Sequence, residues 1–142
     1  MHSCISDVAD FRTAMGLPIA REPDTAPTCE RLELIESLLD EEHRETIRSI
    51  GHMWLCSKYD MGSEEDRREA LAEVADGLAD LIYVAVGAAL ELGIPLGAVW
   101  AEVHAANLRK AGGPRRQDGK VLKPNGWTPP DVLGAVFGKG ER

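Results

Sequence analysis

The chain has 142 residues, 44% of them hydrophobic and 28% charged, a composition that fits one globular domain spanning 1–142 and leaves little room for two. Aromatics make up only 5%, so the core must be built from Leu, Val, Ile and Ala, which favours packed helices over a sheet sandwich. A net charge of −8 excludes a general binder of DNA or RNA polymers, and the longest near-apolar stretch, Leu81 to Leu90, is too short to span a membrane.

The spacing of Val8, Phe11 and Met15 predicts a first helix over about 6–15, stopped by Gly16 and Pro18. Pro18, Pro23 and Pro27 make 17–27 an extended linker. Thr28 is placed to cap a long second helix over about 29–56, with Leu32, Leu34, Ile35, Leu38 and Leu39 as a broad apolar stripe. Asp60-Met61-Gly62 breaks it. Ser63 then caps a third helix over about 64–92, whose first turn carries Glu64, Glu65 and Asp66 where the helix end is positive. Gly93 stops that helix and Pro95 opens a fourth over about 96–111. Turn signals at Asp118-Gly119 and Pro124-Asn125-Gly126 make 112–128 a loop that could hold a small hairpin, and a short last helix starts near Pro130.

The expected fold class is therefore all-α, a bundle of four to five helices. Leu78 to Leu92 is apolar on nearly all sides and must be buried all round. So few helices cannot enclose it, so a second copy is expected to complete the bundle as a homodimer. Cys4, Cys29 and Cys56 are odd in number and include no CxxC, and the N-terminus lacks the pattern of a signal peptide, so a reducing cytoplasm is the expected setting.

Two acidic strips carry the chemistry. On the second helix, Glu42 falls within about 20° of Ile35 and Glu45 within about 20° of Leu38, so both continue the apolar stripe. On the third, Glu73 and Asp80 nearly coincide in angle, Asp76 lies about 40–60° away, and all three lead into the apolar half. Any one of these acids, taken alone, would be assigned to a solvated face. If the two strips face each other, each pair of carboxylates about 5 Å apart costs on the order of 3 kcal/mol, and something must neutralise them. An all-oxygen donor set suits Mg²⁺ or Mn²⁺, two or more per site.

Opposite in sign is the basic segment 109–127. Arg109, Lys110, Arg115, Arg116, Lys120 and Lys123 face one acid, Asp118, and the rest of the chain carries a net thirteen negative charges. Asn107 and Lys110 continue the face of Trp100 and Val103. Such a segment suits a small anion held from its other side by metal ions.

Three blocks carry a family likeness: Leu38-Leu39-Asp40-Glu41-Glu42-x-x-Glu45, then Leu78-Ala79-Asp80-Leu81-Ile82-Tyr83-Val84, then Glu102-Val103-His104-x-x-Asn107-x-x-Lys110 with the Gly/Pro-rich stretch through Trp127. Over about 8–133 the chain resembles the all-α nucleotide pyrophosphohydrolases related to MazG, especially their dUTPase-like branch. The resemblance implies dimeric bundles, Mg²⁺ or Mn²⁺, and release of pyrophosphate from a nucleoside triphosphate such as dUTP, in a role of cleaning the nucleotide pool. It implies metal binding by an ExxE motif, matched by Glu42 and Glu45, and by an ExxD motif, from which this chain departs: Gly77 stands three residues before Asp80, so Asp76 or Glu73 must take over. The expected site then has Glu42, Glu45, Glu73, Asp76 and Asp80 on metal, Glu41 or Glu45 as helper base, and Tyr83, Asn107, Lys110, Arg115, Arg116, Lys120 and Lys123 on the nucleotide. The alternatives are a phosphoribosyl-ATP or broad-specificity pyrophosphohydrolase, a metal-dependent nucleotide binder without turnover, and a purely structural helical dimer.

Overall fold

A computed structural model describes residues 2–138; residues 1 and 139–142 of the expected domain lie outside it. The described chain consists of α1 (His2–Ala14), α2 (Cys29–Tyr59), α3 (Glu64–Glu91), α4 (Leu96–Leu108) and α5 (Val132–Phe137), and among the described residues there is no extended strand. The all-α expectation holds. The hairpin expected in 112–128 is reduced to a single antiparallel bridge between Arg115 and Val121.

The frame is a long hairpin of α2 and α3. Thr28 caps α2 by accepting from the Arg31 amide, and Ser63 and Asp66 form a reciprocal capping box on α3. Between them Asp60 takes a left-handed conformation, with its amide closing on the Cys56 carbonyl. The two helices, about 46 and 42 Å long at 1.5 Å per residue, lie antiparallel. They meet tightly at Thr46 and Gly77. Thr46 is only 3% exposed, and its hydroxyl lies 2.8 Å from the carbonyl oxygens of both Glu42 and Gly77. A Cβ on Gly77 would stand 3.0 Å from the Thr46 hydroxyl oxygen and 3.1 Å from the Thr46 Cα. Only glycine lets the helices approach this closely.

α1 packs on the far half of α3 through Val8 and is pinned by charge. The buried Arg12 donates to Glu91 at 2.5 Å and to the Pro18 carbonyl at 3.0 Å. Arg31 approaches the same Glu91 carboxylate at 3.4 Å, donates to the Glu91 carbonyl, and pairs with Asp24 at 2.7 Å. The linker runs along this end of α3, with the Ala20 and Asp24 amides donating to the Leu90 and Leu92 carbonyls. Gly93, at φ 66°, leaves room for the Glu22 backbone, which any side chain there would strike.

α4 ends at Leu108 rather than near 111 because the chain tightens into successive three-residue turns through Lys110 and Ala111. α5 packs on α4, and the Trp127 indole donates to the Ala106 carbonyl.

The apolar half of α3 is not enclosed within one chain. Leu78 and Ile82 are about half exposed, as are Ile47 and Trp54 on α2 and Trp100 on α4. The accessible surface is 10428 Å², whereas a compact chain of 15.4 kDa exposes about 7,200 Å². No helix of the described residues is long and apolar enough to cross a membrane.

Replacing Gly77 with alanine should lower stability by about 1–3 kcal/mol through overpacking against Thr46. Urea unfolding measures it, and an unchanged midpoint would contradict the close approach.

Candidate active site

The Thr46–Gly77 contact decides which acids meet. Glu42 lies one turn before Thr46 and Glu45 beside it; Asp76 flanks Gly77 and Asp80 lies one turn beyond. Glu42 is half-buried, and its carboxyl is pushed above the ordinary carboxylate range, first by burial and then by the charges of Asp80, Glu45, Glu41 and Asp76. Five of the acids expected from sequence are thus brought together. Glu73 is not in this group: it points to His52, 3.3 Å from the imidazole Nδ1.

Shelter is less complete than expected. Glu41, Glu45, Asp76 and Asp80 are exposed, and only Glu42 is drawn inward. As they stand, no three His, Cys, Asp or Glu side chains among the described residues converge closely enough to hold a metal ion. The chemistry of the set nevertheless fits a hard cation. All donors are carboxylate oxygens, four of the five side chains are exposed, and the like charges that raise the Glu42 carboxyl are the kind a divalent cation neutralises.

The basic residues form a second cluster. Asn107 Oδ1 accepts from Lys110 Nζ at 2.7 Å, and the Lys110 and Lys123 ammonium groups lie 5.7 and 4.2 Å from the centre of the Trp127 ring. Arg115 donates to the Gly119 carbonyl, while Arg116 is paired with Asp118. Lys120 is exposed on the same loop. Among the described residues no hydrogen bond or ion pair joins this cluster to the acids. Tyr83 belongs to neither cluster; its ring meets Phe11 edge-on at 5.6 Å, in an apolar groove between α1, α2 and α3.

Sequence reasoning missed Thr46, and Arg12 with Glu91. A hydroxyl in line with Glu42 at i+4 was a usable signal for the first. Arg12, one turn after core Val8, hinted at the second, but its partner lies 79 residues away.

The chain itself has relatives among known protein families. The model of the phosphoribosyl-ATP pyrophosphohydrolase family matches residues 8–107. The chain belongs to that family. It is a family of metal-dependent pyrophosphohydrolases within the all-α NTP pyrophosphatase/MazG superfamily, so the broad likeness to MazG relatives holds. The matched segment contains every acid of the cluster and ends at Asn107, before the basic loop. No curated protein matches the chain.

The raised Glu42 carboxyl has a definite sign in stability. A folded-state pKa above the unfolded one means the native state holds its proton more tightly, so stability falls as pH climbs from the ordinary glutamate pKa of about 4.3 through the raised value. In metal-free buffer Glu42→Gln should therefore be more stable than the parent above that window, with the gap closing as pH falls below it. Thermal melts from pH 4 to 8 with a chelator measure this; a gap that is absent or widens toward acid would contradict the crowding.

Proposed function

We propose that this protein hydrolyses the α–β phosphoanhydride of a nucleotide, releasing pyrophosphate, with Mg²⁺ or Mn²⁺ bound by Glu42, Glu45, Asp76 and Asp80. The observation that carries the reading is the placement of Glu41, Glu42, Glu45, Asp76 and Asp80 around the point where α2 and α3 touch, near enough that their charges act on the Glu42 carboxyl. Family membership supports it. Asp76, beside Gly77, takes the place of the missing motif glutamate, because Thr46 leaves no room for a side chain at 77. Glu73, turned to His52, is outside this set.

When bound, two or more divalent ions would neutralise the phosphates and supply an activated water. The chain's own groups do the rest. Glu41 or Glu45 accepts the proton from the attacking water. Asn107 and Lys110 hold phosphate oxygens, and Arg115, Arg116, Lys120 and Lys123 close over the leaving pyrophosphate from the loop beyond them.

The second copy belongs to the same reading. The chain exposes roughly 3,000 Å² more than a compact monomer of its mass, and obligate dimers bury 2,000–5,000 Å² or more. A homodimer that covers Ile47, Trp54, Leu78, Ile82 and Trp100 would enclose the apolar half of α3. It would also give the basic cluster, unattached to the acids in one chain, a route to the phosphates they hold.

Phosphoribosyl-ATP, the compound in the family's description, is the substrate this membership supports ahead of dUTP. A deoxynucleoside triphosphate such as dUTP is the second reading, favoured by the ring-sized groove at Tyr83. Pyrophosphate release from phosphoribosyl-ATP and from a panel of nucleoside triphosphates with Mg²⁺ or Mn²⁺ tests the reaction. At least one should turn over, and Glu42→Gln should reduce kcat by about 10² or more. A folded protein that releases pyrophosphate from none of them would overturn the proposal. Light scattering should give about twice the 15.4 kDa chain mass; a monomer at micromolar concentration would refute the dimer.

A further inference from the structure

The basic loop is clasped to α4 by Trp127, a residue that has no part in the chemistry proposed above. Because α4 tightens at its end, the Lys110 amide donates to the Asn107 carbonyl at 3.0 Å rather than to Ala106, its partner in an unbroken α-helix. The Ala106 carbonyl is taken instead by the Trp127 indole N–H at 2.8 Å. Trp127 stands 21 residues along the chain from Ala106, so the whole loop lies between the two ends of this bond. A second tie runs beside it, from the Arg109 guanidinium to the Thr128 carbonyl at 3.3 Å. Inside the loop the Arg116 amide donates to the Lys120 carbonyl and the Leu122 amide to the Pro114 carbonyl. Gly113 lets the returning chain pass, since any Cβ there would strike the Leu122 carbonyl.

Two cations of this segment are gathered around one ring. Lys123 Nζ lies 4.2 Å and Lys110 Nζ 5.7 Å from the centre of the Trp127 ring, so the two ammonium groups are near neighbours. Arg116 is neutralised by Asp118, and Arg115 donates to the Gly119 carbonyl. Lys123 makes no hydrogen bond or ion pair among the described residues. Lys110 spends one of its three N–H donors on Asn107 Oδ1. Two ammonium groups beside one ring repel each other. The negative face of the indole offsets part of that repulsion, and an anion shared by both offsets more.

We propose that Trp127 is a positioning residue: its ring gathers Lys110 and Lys123 into a pair that binds one diphosphate group, and its N–H fixes that pair to the end of α4. Trp127 itself touches no phosphate. A diphosphate suits the pair better than a single phosphate because it presents oxygens at both ends, one for each ammonium. This rests on the reading that the basic cluster receives the phosphates. It assigns to the pair the two phosphates that leave as pyrophosphate.

Calorimetric titration of the full chain with inorganic pyrophosphate and with inorganic phosphate tests the pair apart from hydrolysis, in buffer with a chelator so that no metal bridges the anion to the acids. Pyrophosphate should bind about tenfold or more tighter than phosphate. Trp127→Leu, which removes both ring and N–H, should weaken pyrophosphate binding about fivefold or more, and Trp127→Phe, which keeps a ring face, should recover most of that loss. Lys123→Gln should weaken binding about fivefold in the parent but less than about twofold further in Trp127→Leu, because the pair is already dispersed there. Melting temperatures confirm that the variants fold. Should Trp127→Leu not fold, Trp127→Gln, which keeps an N–H and removes the ring, reads the same loss. No preference for pyrophosphate, parent affinity in a folded variant without the ring, a loss that phenylalanine does not recover, or a full Lys123→Gln effect on top of Trp127→Leu would each overturn the proposal. Pyrophosphate binding that depends on Trp127 in a chain that hydrolyses no nucleotide would keep the pair and remove the proposed reaction. Hydrolysis with pyrophosphate binding indifferent to Trp127 would do the reverse.

Discussion

The contact between Thr46 and Gly77 governs this structure. It is a place where two long helices approach backbone to backbone, held by a hydroxyl 2.8 Å from a carbonyl on each helix. A Cβ at Gly77 would stand 3.0 Å from the Thr46 hydroxyl oxygen, and the acids within a turn of this contact act on one another. Asp80 and Asp76 reach Glu42 across the hairpin because the helices cannot stand further apart without losing this bond, and they add to burial and to Glu45 and Glu41 on its own helix. A fold whose net stability is of order 5–15 kcal/mol tolerates such crowding only where something is gained from it.

That geometry also explains a departure from the motif that the resemblance implies. A glutamate three residues before Asp80 would project from position 77 into Thr46, and the chain has glycine there instead. The acidic role passes to Asp76, one residue earlier and on the neighbouring flank of α3. The same compactness is absent on the other side of the hairpin, where Leu78 and Ile82 lie open. One face of α3 is fitted tightly to α2, another to α1 through Arg12 and Glu91, and the remainder, with Leu78 and Ile82, is about half exposed.

Most of the fold was legible in the sequence. Capping residues at Thr28 and Ser63 and the breaks at Asp60 and Gly93 placed α2 and α3 to within three residues at each end, because caps and turns act locally. Four of the clustered acids, Glu42, Glu45, Asp76 and Asp80, were legible from helical periodicity, since seven residues make nearly two turns whatever surrounds them; Glu41 was named only as a helper base. Glu73 shows the limit of that argument: it shares the angle of Asp80 but sits two turns away, opposite His52, and periodicity does not tell which part of a strip meets the partner helix. The Thr46–Gly77 approach and the Arg12–Glu91 pair were not legible, because each joins residues 31 or 79 positions apart and neither type has a short-range signature. The basic loop was legible as charge but not as a position, for its contacts run to Trp127 and Asp118 rather than to the acids.

We propose that helix approach at one glycine makes a cation site out of acids that would otherwise be ordinary surface groups. Mn²⁺ titration of the parent and of Gly77→Ala, followed by calorimetry, tests it most directly. Mn²⁺ should bind the parent, with at least about tenfold weaker affinity in the folded variant, because the added methyl moves Asp76 and Asp80 away from Glu42. Equal affinity in the two proteins, or no binding to either, would contradict it.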